Sequence, residues 1–263
     1  MRPTRVTHRL ISTAAPEATR FLSASRFVDQ ALAAASCGWA SPLLLSHAVP
    51  HWCGVVAGIS DACLATELGG PTAQLCRTKQ VHGTQWIEAK RCVQGLPKAD
   101  AVVSADRSLV AAVSTADCCP VLVACLTSGC VAAIHAGWRG LAADVIGATI
   151  QGMTSAFGAH PTHMVAAVGP CASASRYEVG KDVVDAFADR GLSSAIRVPA
   201  GTRSGHAFAD CAKAAFLLLQ RAGVPVASIE SSAPCTISDV RFPSYRRDPS
   251  NPARMTSAIA CRS

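Results

Sequence analysis

Short runs of apolar and β-branched residues, bounded by Gly, Pro, Ser or Asp, dominate the chain beyond residue 70. Runs of this length between turn-forming residues are typical of β-strands. We therefore expect strands at 101–104, 109–114, 120–125, 130–134 and 164–168. A final pair of strands is expected at 226–230 and 255–260.

A different period begins after residues 138–140, where apolar side chains recur three or four positions apart until about Phe157. This spacing places them on one face of an α-helix, so we predict a helix over 141–157. Further helices are predicted at 180–189 and 207–222. The second of these should stop at Gly223, because Pro225 lies just beyond it.

The segment from 70 to 263 shows no internal repeat and no linker, which indicates one α/β domain of mixed strand order. The first fifty residues differ, because they are rich in Ala, Ser and Arg and poor in acidic residues. That composition is typical of an organelle transit segment, although a poorly ordered extension has the same composition. We expect residues 1–45 to form this N-terminal extension and residues 46–263 to form a single domain.

The composition is that of a globular protein, with 50% hydrophobic and 16% charged residues over a length of 263. It excludes intrinsic disorder, collagen and coiled coils. The longest apolar stretches, such as 130–136 and 214–219, fall well short of the roughly 18 residues that a membrane helix needs. We expect no membrane-spanning segment and no membrane partner.

The net charge of +7 suggests an anionic partner, but the basic residues are scattered and Arg246-Arg247 is a rare close pair. Aromatic residues make up only 5% of the chain, too few for the stacking surfaces of a nucleic-acid-binding protein. A small anionic substrate such as phosphate fits this charge, and no nucleic-acid partner is expected.

The cysteine content bears on the cellular compartment. The chain has thirteen cysteines, an odd number, many of them in apolar segments, and no secretory signal is apparent. Reduced, mostly buried thiols in an intracellular protein fit this pattern. We expect a cytoplasmic location, or an organelle if the N-terminus is a transit segment.

Three segments, 80–83, 115–120 and 134–140, place a titratable or metal-binding side chain beside glycines or at a strand end. Their candidates, His82, Cys118 and His135, are 36 and 17 positions apart, far from the local spacing of zinc fingers. Dispersed ligands that the fold brings together suit a catalytic zinc site, in which three protein ligands leave one position open.

The same residues allow two other interpretations. In one, Cys118 is a thiolate nucleophile with His135 as its base. In the other, Cys118 is an ordinary core residue and the histidines are simply hydrogen-bonded. Strand register decides whether Cys118 or Cys119 would be the ligand, because neighbouring strand residues face opposite sides.

Five motifs occur between about residues 76 and 260 in the order found in one protein family. They are Gln80-Val81-His82-Gly83, Ala116-Asp117-Cys118 with Pro120, His135-Ala136-Gly137-Trp138-Arg139-Gly140, Gly169-Pro170 followed by Tyr177-Glu178-Val179, and Ser244-Tyr245-Arg246-Arg247-Asp248. The chain resembles the YfiH or laccase-domain family. Its members were long labelled multicopper polyphenol oxidases and are now described as zinc-dependent purine nucleoside phosphorylases with adenosine deaminase activity.

The resemblance implies a fold of the α/β (α+β) class, a mixed β-sandwich flanked by helices. It assigns His82, Cys118 and His135 as catalytic residues and metal ligands, with Zn²⁺ rather than copper as the cofactor. The chain has only eight histidines, too few for a multicopper oxidase cluster. The implied reaction converts adenosine, inosine, guanosine or methylthioadenosine plus phosphate to base and ribose 1-phosphate, in a monomer or homodimer.

Further roles follow from the matched motifs. Arg139 and Arg246 are candidates for binding phosphate, since planar guanidinium groups suit that anion. Asp117 would orient a metal-bound histidine or hold a substrate hydroxyl, unless it is only a turn residue. Tyr177 and Glu178 would line the nucleoside pocket, although Glu178 also suits the start of the next helix.

The N-terminal part departs from the family pattern, because Val55 stands where an arginine is expected. A change of specificity or a loss of activity would follow if that arginine binds substrate. Three alternatives therefore remain: a copper-dependent polyphenol oxidase, a hydrolase that edits peptidoglycan precursors through Cys118, and a non-catalytic relative.

Overall fold

The computed structural model describes residues 41–47, 49, 51–55, 60–231 and 233–261. The expectation of a transit segment therefore falls almost entirely outside the described residues. The proposed domain boundary after residue 45 lies within the first described helix, α1 (Pro42–Ser46).

The described residues contain thirteen strands and five further α-helices. The strands are β1 (His51–Val55), β2 (Gln74–Cys76), β3 (Trp86–Glu88), β4 (Ala101–Ser104), β5 (Leu109–Thr115), β6 (Cys119–Cys125), β7 (Val131–Ala136), β8 (Met164–Val168), β9 (Glu178–Val179), β10 (Ile196–Arg197), β11 (Ala207–Ala209), β12 (Ile229–Glu230) and β13 (Met255–Ile259). The helices are α2 (Asp61–Gly69), α3 (Trp138–Ala143), α4 (Val145–Phe157), α5 (Lys181–Asp189) and α6 (Cys211–Arg221).

The strands form three mixed or antiparallel sheets within the described part of the chain. A six-stranded sheet has the order β12-β8-β6-β7-β4-β3, and a four-stranded sheet has the order β1-β13-β5-β2. A third, three-stranded sheet has the order β10-β11-β9. The central strands β6 and β7 are buried along their whole length, which explains their continuous apolar sequences.

The two larger sheets pack face to face. Alternate residues of β6 point to opposite sides, so Val121 and Val123 pack in the cluster with α4 and α6, whereas Leu122 and Ala124 pack with Val113 of β5 and its neighbours. Helix α2 covers the outer face of the four-stranded sheet. The predicted class, a mixed β-sandwich flanked by helices, is confirmed.

Three predicted elements were wrong in detail. The helix expected over 141–157 is two helices, because Asp144 at the junction has a left-handed backbone (φ 68°). The segment 207–209 is strand β11, and α6 begins only after its N-cap, Asp210. The last two strands do not pair with each other, since β12 pairs with β8 and β13 pairs with β1 and β5 in the other sheet.

Across the residues that the structure describes, we find no helix with both the length and the apolar character needed to cross a bilayer.

Candidate metal centre and substrate pocket

Three separate segments bring His82, Cys118 and His135 together. His82 lies in the loop between β2 and β3, Cys118 in the turn between β5 and β6, and His135 in β7. The antiparallel register of β6 and β7, which pairs Pro120 with His135, sets Cys118 next to the histidine. Their candidate ligand atoms all lie within 4.8 Å of one another. The structure thus assembles the three residues that the sequence singled out.

The three cluster residues differ in their exposure to solvent. His135 is 3% exposed, Cys118 is half-buried and His82 is exposed. The two imidazole rings meet edge to face, with their centroids 4.8 Å apart. A ligand would therefore approach the cluster from the side of His82.

Because Gly137 has no side chain, His82 and Cys118 can lie close to each other beside it. A Cβ atom at this position would lie 2.7 Å from His82 Nδ1 and 3.2 Å from Cys118 Sγ. Because the first distance is shorter than real side chains tolerate, a larger residue would displace the histidine. This contact explains why a glycine follows so closely after His135 in the sequence.

The electrostatics of the cluster favour an ionic pair. Burial alone would raise the pKa of the Cys118 thiol, but hydrogen bonds from His135 and His82 lower it to about 6. Burial alone would lower the pKa of His135, but its hydrogen bonds to Asp100 and Cys118 raise it to about 9. Cys118 is thus favoured as the thiolate, the form of cysteine that binds metals.

Register settles which of the two neighbouring cysteines joins the cluster. Cys119, the first residue of β6, is fully buried in the apolar core with Cys171 and Cys211. A hydrogen bond with Cys171 and burial raise the pKa of its thiol well above the usual value. Cys119 is therefore a core residue, whereas Cys118 faces the histidines.

The carboxylate that contacts a histidine of the cluster belongs to Asp100, which the sequence analysis missed. It accepts a hydrogen bond of 2.8 Å from His135 Nδ1 and further hydrogen bonds from the backbone N–H groups of Val81, His82 and Gly83. Asp100 precedes strand β4 as a single acidic residue outside any motif. Only its position before a buried apolar strand distinguishes it in the sequence.

Asp117 anchors the C-terminal segment instead. Its carboxylate accepts hydrogen bonds from the hydroxyl groups of Thr236 (2.6 Å) and Ser244 (3.0 Å) and from the backbone N–H of Arg246 (2.7 Å). Its own backbone is left-handed, with φ at 80°. Two of the roles considered for Asp117 can be compared with these contacts. The carboxylate that contacts a histidine of the cluster is that of Asp100. The left-handed backbone of Asp117 fits a turn residue.

Gln80, the first residue of its motif, ties the His82 loop to β5. Its side-chain amide donates to the carbonyl of Ser114 and accepts from the N–H of the same residue, both at 2.8 Å. This paired contact resembles the pairing between two strands. It fixes the start of the loop and leaves His82 and Gly83 to reach the cluster.

A pocket of about 330 Å³ is lined in part by Trp138, which follows Gly137 in the chain and so links the pocket to the cluster. It is lined by four of the five predicted substrate-binding residues, namely Arg139, Tyr177, Glu178 and Arg246. The other lining residues are Trp138, Val179, Gly180, Asp182, Val183, Arg203 and His206. Arg203 and His206 come from the segment between β10 and β11, where no motif marked them.

Aromatic rings hold two arginines of this pocket. The guanidinium carbon of Arg139 lies 4.3 Å from the ring centroid of Trp138, and that of Arg246 lies 4.8 Å from the ring centroid of Tyr177. Arg246 also donates to the carbonyl of Glu178 at 2.6 Å. The backbone N–H of Arg246 donates to Asp117, the residue before Cys118. Asp117 therefore connects the pocket with the cluster.

Comparison with known proteins places the chain in a family. The family model described as multi-copper polyphenol oxidoreductase laccase matches residues 58–262. A purine nucleoside phosphorylase of Xylella fastidiosa (strain 9a5c) is 37% identical over 209 residues, which cover 74% of this chain and 78% of that protein.

Solved structures agree with this comparison. A Neisseria meningitidis protein of the DUF152 family is 37% identical with a TM-score of 0.65, covering 73% of this chain and 76% of its own. The hypothetical protein YfiH of Bacillus licheniformis, at 24% identity, shares the fold with a TM-score of 0.66 and covers 72% of this chain and 74% of its own. The chain therefore belongs to the laccase-domain family, whose model spans most of it.

Proposed function

We propose that this chain is a zinc-dependent purine nucleoside phosphorylase that also deaminates adenosine. The observation that carries the proposal is the cluster of His82, Cys118 and His135 beside a pocket with stacked arginines. The Xylella fastidiosa relative, named purine nucleoside phosphorylase, supports the same activity.

The chemistry of the donor set fits zinc. Two imidazoles and one thiolate are borderline-soft ligands, and catalytic zinc sites use three such residues and keep one position open. With bonds of about 2.0–2.3 Å, ligand atoms around a tetrahedral zinc ion lie roughly 3.5 Å apart. The 4.8 Å limit within the cluster allows this arrangement after a small contraction, and Gly137 leaves the space for it.

The number of metal-binding side chains argues against a multicopper oxidase. Among the described residues, this is the single group of three or more His, Cys, Asp or Glu side chains close enough to hold a metal ion. A multicopper centre needs further histidine ligands close by. The pattern of donors thus supports one metal ion, in spite of the family's description.

Zinc at this centre would supply Lewis-acid activation of the reacting groups. In phosphorolysis, a phosphate oxygen forms a bond to C1′ of the ribose while the glycosidic bond breaks and the purine leaves with a proton. The guanidinium groups of Arg139 and Arg246 would bind the phosphate, because planar N–H donors match its oxygens. The purine would lie in the same pocket, which Trp138 and Tyr177 also line.

A second candidate function uses Cys118 as a nucleophile. The hydrogen bonds from His135 and His82 that favour the thiolate would equally activate it for attack on a carbonyl carbon. Such a hydrolase, acting on peptidoglycan precursors, would work in the presence of a chelator. The zinc enzyme would not, so the two proposals separate cleanly.

The test is an assay of the purified protein with adenosine, with and without phosphate. We expect adenine and ribose 1-phosphate only when phosphate is present, and inosine in either case. Adenine release that does not depend on phosphate, or oxygen consumption with a phenol in place of any nucleoside reaction, would contradict the proposal.

Arg139→Gln tests the phosphate subsite in the same assay. Loss of a charged hydrogen bond is expected to raise the KM for phosphate about 10- to 100-fold, because such bonds contribute about 1.5–3 kcal/mol. Deamination of adenosine needs no phosphate and should continue. The matched control is Arg254→Gln, an exposed arginine that does not line the pocket. Equal effects of the two changes would remove Arg139 from the subsite.

A further inference from the structure

Asp100 is a carboxylate with no exposed surface, and it lies directly behind the histidine cluster. It accepts four N–H groups: three from the backbone of the 81–83 loop and one from the ring of His135. Burying a carboxylate is costly unless its oxygens are hydrogen-bonded, and here the donors come from two separate segments. The segments it joins carry the two histidines.

The hydrogen bonds between Asp100 and the 81–83 loop explain the unusual backbone of His82. Its φ is 59°, in the left-handed region. This conformation is unfavourable for a residue with a side chain, and it persists only where surrounding contacts stabilise it. Successive N–H groups of His82 and Gly83 donate to the two oxygens of Asp100, at 2.8 and 2.7 Å, and the N–H of Val81 contributes a longer bond. Three consecutive amides thus form a small anion-binding nest.

The hydrogen bond between Asp100 and the ring of His135 fixes the tautomer of this histidine. An ionised carboxylate can only accept, so Nδ1 of His135 carries the proton that it shares with Asp100 at 2.8 Å. When the ring is neutral, as in a metal-bound histidine, Nε2 is then the nitrogen with a free lone pair. The backbone N–H of His135 also donates to the backbone carbonyl of Asp100, at 2.7 Å, so the two residues are held at two points.

We infer that Asp100 is the positioning residue of the metal centre: one carboxylate sets the ring tautomer of His135 and the loop conformation of His82. This inference rests on the proposed metal site. It assigns two tasks to Asp100: it leaves the lone pair of His135 on Nε2, and it holds the loop that carries the His82 imidazole. Carboxylates that hold metal-binding histidines commonly act in this way.

The experiment compares wild type, Asp100→Asn and the control Asp106→Asn. The amide in Asp100→Asn keeps only one acceptor oxygen. Its NH₂ group therefore faces either the N–H of Gly83 or the N–H groups of His82 and His135 Nδ1, which then lose their acceptor. Zinc affinity is measured by competition with a chromophoric chelator. We expect roughly a 10- to 100-fold loss for Asp100→Asn. Asp106 is exposed, and its carboxylate accepts hydrogen bonds from Ser108 in its own turn, so its variant should bind zinc like wild type.

A second readout separates positioning from a merely structural role. Long-range ¹H–¹⁵N spectra of the histidine rings report which nitrogen carries the proton, in the zinc-loaded protein and in the metal-free protein at alkaline pH. The inference predicts the Nδ1–H form for His135 in wild type, which needs no variant to fold, and loss of that single form in Asp100→Asn.

Three outcomes decide the matter. An Nε2–H form of His135 in wild type overturns the inference. So does an Asp100→Asn protein that is less heat-stable yet binds zinc with unchanged affinity and an unchanged tautomer. If wild type binds no zinc, the proposed function fails, while the tautomer at alkaline pH still decides the role of Asp100.

Discussion

His82 and Asp117 share a backbone conformation that few residues with side chains adopt, with φ values of 59° and 80°. Each such residue costs about 1–3 kcal/mol, and such costs concentrate at functional sites. Both are held by dense hydrogen bonding, His82 by Asp100 and Asp117 by the loops that carry Thr236 and Arg246. Both residues lie close to Cys118, so hydrogen bonds hold the backbone on two sides of the thiol.

Gly137→Ala tests how tightly the cluster is built. The added Cβ would lie 2.7 Å from His82 Nδ1, so the imidazole has to move away from the other two ligands. We expect zinc affinity to fall at least about 10-fold, the effect typical of misplaced ligands, while the fold remains intact. Chelator competition gives the affinity, and thermal melting gives the stability. Unchanged affinity in a folded variant would show that His82 is not a ligand.

Single residues differ in how well the sequence predicts them. His82, Cys118 and His135 could be predicted because each lies in a motif with glycines or at a strand end. Asp100, Arg203 and His206 could not, because each contributes through a contact that exists only after distant segments fold together. Asp117 was found, but the sequence could not show that its carboxylate faces the C-terminal segment.

At the level of elements, the junction of α3 and α4 shows how one residue ends one helix and begins the next. Asp144 is left-handed, and its carboxylate caps α4 by accepting the N–H of Gly147 at 2.9 Å. A Cβ on Gly147 would lie 2.7 Å from that carboxylate, so the glycine is needed for the cap. The hydrophobic period runs through the junction, and periodicity alone therefore predicts a single helix.

Asp144→Ala is expected to lower the free energy of unfolding by about 2 kcal/mol, from loss of the cap and from placing alanine in a left-handed conformation. Asp144→Asn is the matched control, because asparagine tolerates this conformation and can accept the same hydrogen bond. It should unfold within about 0.5 kcal/mol of wild type. Urea denaturation measures both, and equal losses would contradict the capping role.

The strands differ in how well the sequence predicts them. Those of the core, such as β4 and β8, could be located to within a residue or two, because burial on both faces gives an unbroken apolar run. Strands of two or three residues, such as β2 and β9, were missed since they are too short to show a period. The partners of β12 and β13 depend on the topology of the whole sandwich, which no local pattern encodes.

On the scale of the whole molecule, the sandwich brings four distant stretches to one site. The loop after β2, the β5–β6 turn, the end of β7 and the C-terminal segment near Arg246 all meet at Cys118 and Asp117. The proposed function requires this meeting point to hold one zinc ion on which phosphorolysis depends. Cys118 and Cys119, adjacent in sequence but facing the cluster and the core, offer a matched pair to test it.

The most direct measurement is the zinc content of wild type, Cys118→Ala and Cys119→Ala, taken with the rate of phosphate-dependent adenine release. We predict about one zinc per chain in wild type and in Cys119→Ala, which should both release adenine. Cys118→Ala should lose the metal and the activity together while remaining folded. Zinc and adenine release retained in Cys118→Ala, or lost only in Cys119→Ala, would contradict the proposed zinc site.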